Sequence, residues 1–236
     1  MKKIVTMGMV AVLGVATVFA QQSDIAKFDS RMALKHATAP TNGVKWIDGK
    51  YLPLEGKQFA NVDHFYDRLP STVTTAVNGG VRSMKHHTAG MQFRFRTDSK
   101  FLQFKWEPYN SGLNMDHMPS TGVSGIDVYR QLEDGSWRYV ATGRIWDPKR
   151  GGSLKINWKP GEACLVNLPL YNGVKSFTLG IAEKASVEAL GPRKSGIVKP
   201  VVFYGTSITH GGCCSRPGMA FVNILGRKLD VPVVNL

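Results

Sequence analysis

Between residues 44 and 184 the chain alternates apolar and polar positions over short runs, and turn-forming residues separate the runs. "KWIDGKYLPL" comes first, with Asp48-Gly49 read as a hairpin turn. "MQFRFRT" and "KFLQFKW" flank Asp98-Ser99, and "GIDVYRQL" and "SWRYVATG" are joined through Asp134-Gly135. "SLKINW" and "ACLVNLPLY" follow, then "VKSFTLGIA" after Asn172-Gly173. Arg94 and Arg96 alternate with Phe93 and Phe95, so a strand sends the arginines to one face and the phenylalanines to the other. No helical period is sustained in this region. The runs predict a two-sheet, jelly-roll-like β-sandwich over residues 24–190. Residues 107–124 form a long irregular insertion, of the kind that often carries function.

The pattern changes after residue 185. Residues 191–200 carry Gly, Pro and basic residues without a period and are read as a linker. "VVFYG" is a continuous apolar run, as in a parallel strand buried on both faces, and "VPVVNL" is a second. Between them Ser215 is placed as a helix N-cap with Pro217 in the first turn. Phe221, Val222, Leu225 and Leu229 are assigned to one helical face, with Arg227 and Lys228 in the last turn. Residues 201–236 therefore read as one βαβ unit that starts an α/β domain.

The first 20 residues stand apart from both patterns. Lys2 and Lys3 precede an apolar run from Ile4 to Phe19, and Val18-Phe19-Ala20 offers a cleavage site before Gln21. Residues 1–20 are thus expected to be a signal peptide, with the mature protein periplasmic or secreted and without a stable membrane anchor. Three cysteines, Cys164, Cys213 and Cys214, make no disulfide framework. They are read as small buried thiols, with a bridge from Cys164 to one of the pair as the alternative. The net charge of +13 is dispersed and no basic helix appears, which argues against nucleic acid and leaves an acidic polysaccharide open. His86, His87 and His117 are placed in sandwich loops without metal-ligand spacing, so neither metal nor cofactor is expected.

The candidate chemistry lies in "VVFYGTSITHGGCCSRPG", residues 201–218. Ser207 follows an apolar strand and a glycine, where α/β folds place active sites. Thr209 breaks the G-x-S-x-G elbow, and neither a P-loop nor a dinucleotide fingerprint fits. By spacing alone Ser207 is either a nucleophile or a cap or turn residue. His210 is three residues on, across a loop too short for a productive Ser–His bond.

The same stretch, continuing to "VVNL", resembles the first block of the SGNH (GDSL-type) hydrolases, in particular the bacterial branch with its own N-terminal β-sandwich domain. Gly205, Ser207 and Ile208 match that block, as do Ser215-Arg216-Pro217-Gly218, with Thr206 where GDSL has Asp. "MPSTGVSGIDVY" and "LPLYNGV" are similar to the branch's sandwich domain. The resemblance implies a flavodoxin-like α/β domain, Ser207 as nucleophile and the Ser207 backbone N–H as part of the oxyanion hole. The family's later blocks, including the oxyanion-hole Asn and the Asp-x-x-His base, are not in this sequence. No Asp stands three residues before His36, His64, His86, His87, His117 or His210. The expectation is the N-terminal part of an exported serine esterase that deacylates a carbohydrate or another small ester, inactive alone. The alternative is a carbohydrate-binding sandwich without catalysis, marked by exposed aromatics in line. Trp46, Trp106, Trp137, Trp146 and Trp158 are the candidates, most of them expected in the core.

Overall fold

Alternating aromatic and β-branched residues give the chain two antiparallel sheets that share one core. The computed structural model describes residues 37, 40–74 and 77–236; the expected signal peptide lies outside them. The first sheet holds β1 (Val44–Asp48), β9 (Val174–Ala182), β4 (Phe101–Pro108) and β7 (Gly152–Asn157), in that order. The second runs β10 (Val187–Ala189), β3 (Gln92–Thr97), β8 (Ala163–Asn167), β5 (Ile126–Gln131) and β6 (Trp137–Gly143). A short β2 (Leu54–Glu55) pairs with β3 on the same edge as β10. Phe93 and Phe95 from one sheet meet Phe104, Trp106 and Phe177 from the other, and all five are at most 1% exposed. Each such side chain contributes about 1.5–3 kcal/mol by leaving water, so this layer is the main source of stability.

Two expectations for the sandwich are corrected. Asp48-Gly49 does not turn a hairpin. The Asp48 side chain accepts from Lys50 N–H and opens a 3₁₀ turn over Gly49–Tyr51, which carries the chain from β1 in one sheet to β2 in the other. Arg94 is not on a solvated face: it is 8% exposed, 3.6 Å from Glu55, and donates to the Gly191 carbonyl. Only Arg96 of the pair reaches solvent. Arg94 is covered because residues 191–193 fold back over β3. There Arg193 pairs with Glu55 and, at 3.3 Å, with Asp230. The segment read as a linker has no regular structure, yet Arg193 ties it to both neighbours.

Beyond it, β11 (Val201–Phe203) and β12 (Val233–Asn235) pair in parallel, with α4 (Phe221–Leu229) between them in the chain. Among the described residues there are also three shorter α-helices: α1 (Gly79–Met84), α2 (Ser120–Val123) inside the long insertion, and α3 (Ser207–His210). Ser215 does not cap α4. Pro217–Met219 forms a separate 3₁₀ turn, and α4 starts at Phe221 with no side-chain cap. The buried face of α4 is Val222, Asn223 and Gly226, whereas Phe221 and Leu229 are 38% and 59% exposed. Among the described residues no helix is long and apolar enough to cross a membrane.

Candidate active site

The loop that carries Ser207 starts where the parallel pair ends. Leu236 N–H donates to the Phe203 carbonyl at 2.8 Å, and Gly205 N–H donates to the Leu236 carbonyl at 3.2 Å. The ladder thus persists to Gly205, and the chain then leaves the sheet. A Cβ on Gly205 would collide with Thr209 Oγ1, so the turn closes this tightly only with glycine. Ser207 is the first residue of α3, and its amide has no intrahelical acceptor. Its carbonyl is held three ways: by Gly212 N–H at 2.7 Å, Gly211 N–H at 3.1 Å and the Tyr171 hydroxyl at 3.1 Å. Ser207 itself is exposed. The backbone is therefore fixed from below while the residue stays exposed.

His210 ends α3 and turns away from solvent. It is 5% exposed, and its Nε2 lies 2.6 Å from the Leu170 carbonyl and 3.2 Å from His87 Nδ1. A carbonyl only accepts, so His210 Nε2 carries the proton and His87 Nδ1 accepts. Burial first, and the nearby Arg68 charge second, lower the His87 pKa to about 3 and that of His210 to about 2. Both rings are neutral at physiological pH, and the Tyr171 ring packs 4.3 Å from His210. His210 anchors the serine turn to the sandwich. Asn235 on β12 anchors it from the other side by donating to the Thr209 carbonyl at 2.7 Å.

The segments quoted for the resemblance meet here. From "LPLYNGV", Leu170 and Tyr171 hold His210 and Ser207 as just described. From "MPSTGVSGIDVY", Thr121 Oγ1 donates to the Ser215 carbonyl at 2.6 Å. Asp127, fully buried on β5, accepts from Gly218 N–H and from Asn167 Nδ2, both at 2.8 Å, with Arg216 Nε 3.4 Å away. Burial dominates and raises the Asp127 pKa to about 6, against the lowering effect of those donors and of Arg227. Gly218 sits against the Tyr129 ring and 2.7 Å, at its notional Cβ, from Asp127 Oδ2. Arg227 covers the other part of that ring, 4.1 Å from its centre. Gly125-Ile126-Asp127-Val128-Tyr129 is thus the patch on which Ser215-Arg216-Pro217-Gly218 docks.

Sequence reasoning singled out Ser207 but missed Tyr171, His87, Asp127 and Asn235 as its supports. The buried-thiol reading holds for Cys164 and fails for Cys213, which is exposed beside the site with φ 63°; all three thiols are free. The aromatic expectation divides: Trp106 and Trp158 are core, and Trp146 is 77% exposed with Arg144 stacked 3.1 Å from its ring centre.

The structure thus joins a sandwich to a parallel pair, with Ser207 in the turn after the first parallel strand. Family comparison gives this arrangement its class. Residues 44–187 match the GxDLY family, described as the N-terminus of SGNH-hydrolase-type esterases, and residues 198–236 match the GDSL-like lipase/acylhydrolase family. The chain belongs to the SGNH-type esterase family. The motif naming the first match is Gly125-Ile126-Asp127-Val128-Tyr129 here, with Val in the Leu position. Among solved structures the chain is similar to a protein described as a GDSL-like lipase from Bacteroides ovatus, with a TM-score of 0.69 and 24% identity over 82% of this chain and 56% of that one. It is also similar to a salicylyl-acyltransferase from a tetracycline biosynthetic pathway, with a TM-score of 0.59 and 16% identity over 83% of this chain and 54% of that one. The chain therefore spans about half the length of these two proteins, and at these identities the likeness speaks for the fold. None of the curated proteins compared matches the chain significantly.

Proposed function

We propose that the chain is the nucleophile-bearing part of an exported serine esterase that deacylates a carbohydrate ester or a similar small ester. One observation carries the reading: Ser207 follows the end of a parallel strand as an exposed residue, with its carbonyl held three ways and its amide without an intrahelical acceptor. In this scheme Ser207 Oγ attacks the ester carbonyl as a base takes its proton. The Ser207 N–H shares the oxyanion's charge, the sugar alcohol leaves with a proton, and water then releases the acid from the acyl-enzyme.

His210 is not the base in this reading, because it is committed to Leu170 and His87. An apolar band supports further α/β structure in the whole protein. Val198, Val201, Val202, Tyr204 and Ile208 are 42–88% exposed, whereas parallel sheets are ordinarily covered on both faces. Export rests on the Lys-apolar-Val-x-Ala pattern of residues 1–20. Trp146 is the one strongly exposed tryptophan among the described residues, so the tryptophans form no exposed row and the binding-module reading gains little.

The test is acetate release from acetylated oligosaccharides by the protein expressed from its native gene. Ser207→Ala should abolish release and leave the far-ultraviolet circular dichroism unchanged. Release that survives Ser207→Ala defeats the assignment.

A further inference from the structure

His64, Asp67 and His86 form a cluster to which the esterase reading gives no role. Asp67 is 2% exposed, and its two oxygens face different rings. Oδ2 accepts the His64 amide at 3.0 Å and lies 3.4 Å from His64 Nδ1. Oδ1 lies 2.8 Å from His86 Nδ1. The three ligand atoms are all within 4.8 Å of one another. Tyr109 fixes the rings: it stacks on His86 at 4.2 Å with planes 14° apart and meets His64 edge-on at 5.2 Å.

We propose that His64, Asp67 and His86 bind a divalent transition-metal ion of the zinc type through the two Nδ1 atoms and the Asp67 carboxylate. Two imidazoles and a carboxylate are the donor set such an ion prefers, while calcium or magnesium would require more oxygens. Bonds of about 2.1 Å in a tetrahedron place ligand atoms about 3.4 Å apart. The 3.4 Å separation matches that edge, and the 2.8 Å hydrogen-bonded contact of His86 with Asp67 opens towards it as the ion replaces the shared proton. His64, whose side chain is 52% exposed, has room to turn towards the ion. That exposed side leaves a fourth position for water. Asp63 nearby is paired with Lys85 at 2.5 Å, which leaves Asp67 as the carboxylate that faces the ion. None of the three ligands bonds Ser207 among the described contacts, so the metal site and the esterase reading stand or fall separately.

The test uses the untagged protein, stripped of metal with a chelator. It is titrated with zinc against a chromogenic competitor and with cobalt by visible absorption. One ion per chain should bind, and cobalt should give ligand-field bands of a nitrogen–oxygen site without thiolate charge transfer. His64→Ala and His86→Ala should each weaken zinc binding about tenfold or more, and His117→Ala should not. His64→Ala removes a half-exposed ring and serves as the variant that keeps its fold, checked by circular dichroism. Zinc binding that is absent, or equal in wild type and both variants, overturns the proposal. Thiolate charge transfer, which would place the ion at Cys213 or Cys214, overturns it as well.

Discussion

Acidification from pH 8 to pH 5 should cost the folded chain about 3 kcal/mol, chiefly through two buried imidazoles. His87 and His210 are 6% and 5% exposed, hydrogen-bond each other, and meet no carboxylate among the described contacts. Their folded pKa values, about 3 and about 2, lie far below the 6.5 of a free imidazole. A depressed histidine pKa gives stability that is fully present above 6.5 and is lost as pH falls towards the folded values, because the unfolded chain takes up protons that the folded one refuses. At pH 5 each ring is about 1.5 units below its unfolded pKa, a loss of about 2 kcal/mol per ring. Asp127 works in the opposite sense. Its folded pKa of about 6 exceeds the ordinary 3.8, so the folded state gains a proton on acidification and recovers about 1 kcal/mol. Urea unfolding followed by tryptophan fluorescence, at matched ionic strength, measures the net change. His210→Gln removes one of the two rings, and its loss between pH 8 and pH 5 should shrink to about 1 kcal/mol. If wild type and His210→Gln lose the same amount, the neutral buried pair is wrong.

Gly218→Ala forces a Cβ into the Tyr129 ring and towards Asp127 Oδ2 at 2.7 Å. It should lower the urea midpoint by the equivalent of about 2 kcal/mol, whereas Gly112→Ala, with nothing within 4 Å, should leave it unchanged. In the folded protein a chromogenic disulfide reagent should modify the exposed Cys213, while Cys164, buried and with its thiol pKa pushed up by that burial, should react only after unfolding. Mass spectrometry of the exported protein should find Gln21 at the N-terminus; a retained Met1 would count against cleavage.

The sheets were legible where one face is apolar and the other is not. Phe93 and Phe95 in β3 and Leu102, Phe104 and Trp106 in β4 alternate with polar residues and are buried as alternation requires. Arg94 escaped the rule because its cover comes from residues 191–193, nearly a hundred positions away. The Asp48-Gly49 dipeptide fits a hairpin locally, but the destination of the chain after it, a different sheet, is a tertiary fact. Ser207 could be singled out because strand, glycine and serine are contiguous. Its supports could not be. His87 and His210 are 123 positions apart, and Asp127 and Gly218 are 91 apart. Asp127 offered a usable signal, since an aspartate among Ile126, Val128 and Tyr129 in an apolar strand must find donors or stay protonated. The cluster of His64, Asp67 and His86 offered a weaker one: His64 and Asp67 are three apart, but His86 joins them only through the fold.

The central claim is that Ser207 is an activated nucleophile, and covalent labelling tests it most directly. The protein expressed from its native gene should be treated with a fluorophosphonate, digested and mapped by mass spectrometry. The account predicts one phosphonyl adduct per chain, on the peptide that contains Ser207, lost in Ser207→Ala and retained in His210→Gln. Failure to label the native protein, an adduct on another serine, or labelling that persists in Ser207→Ala would contradict it.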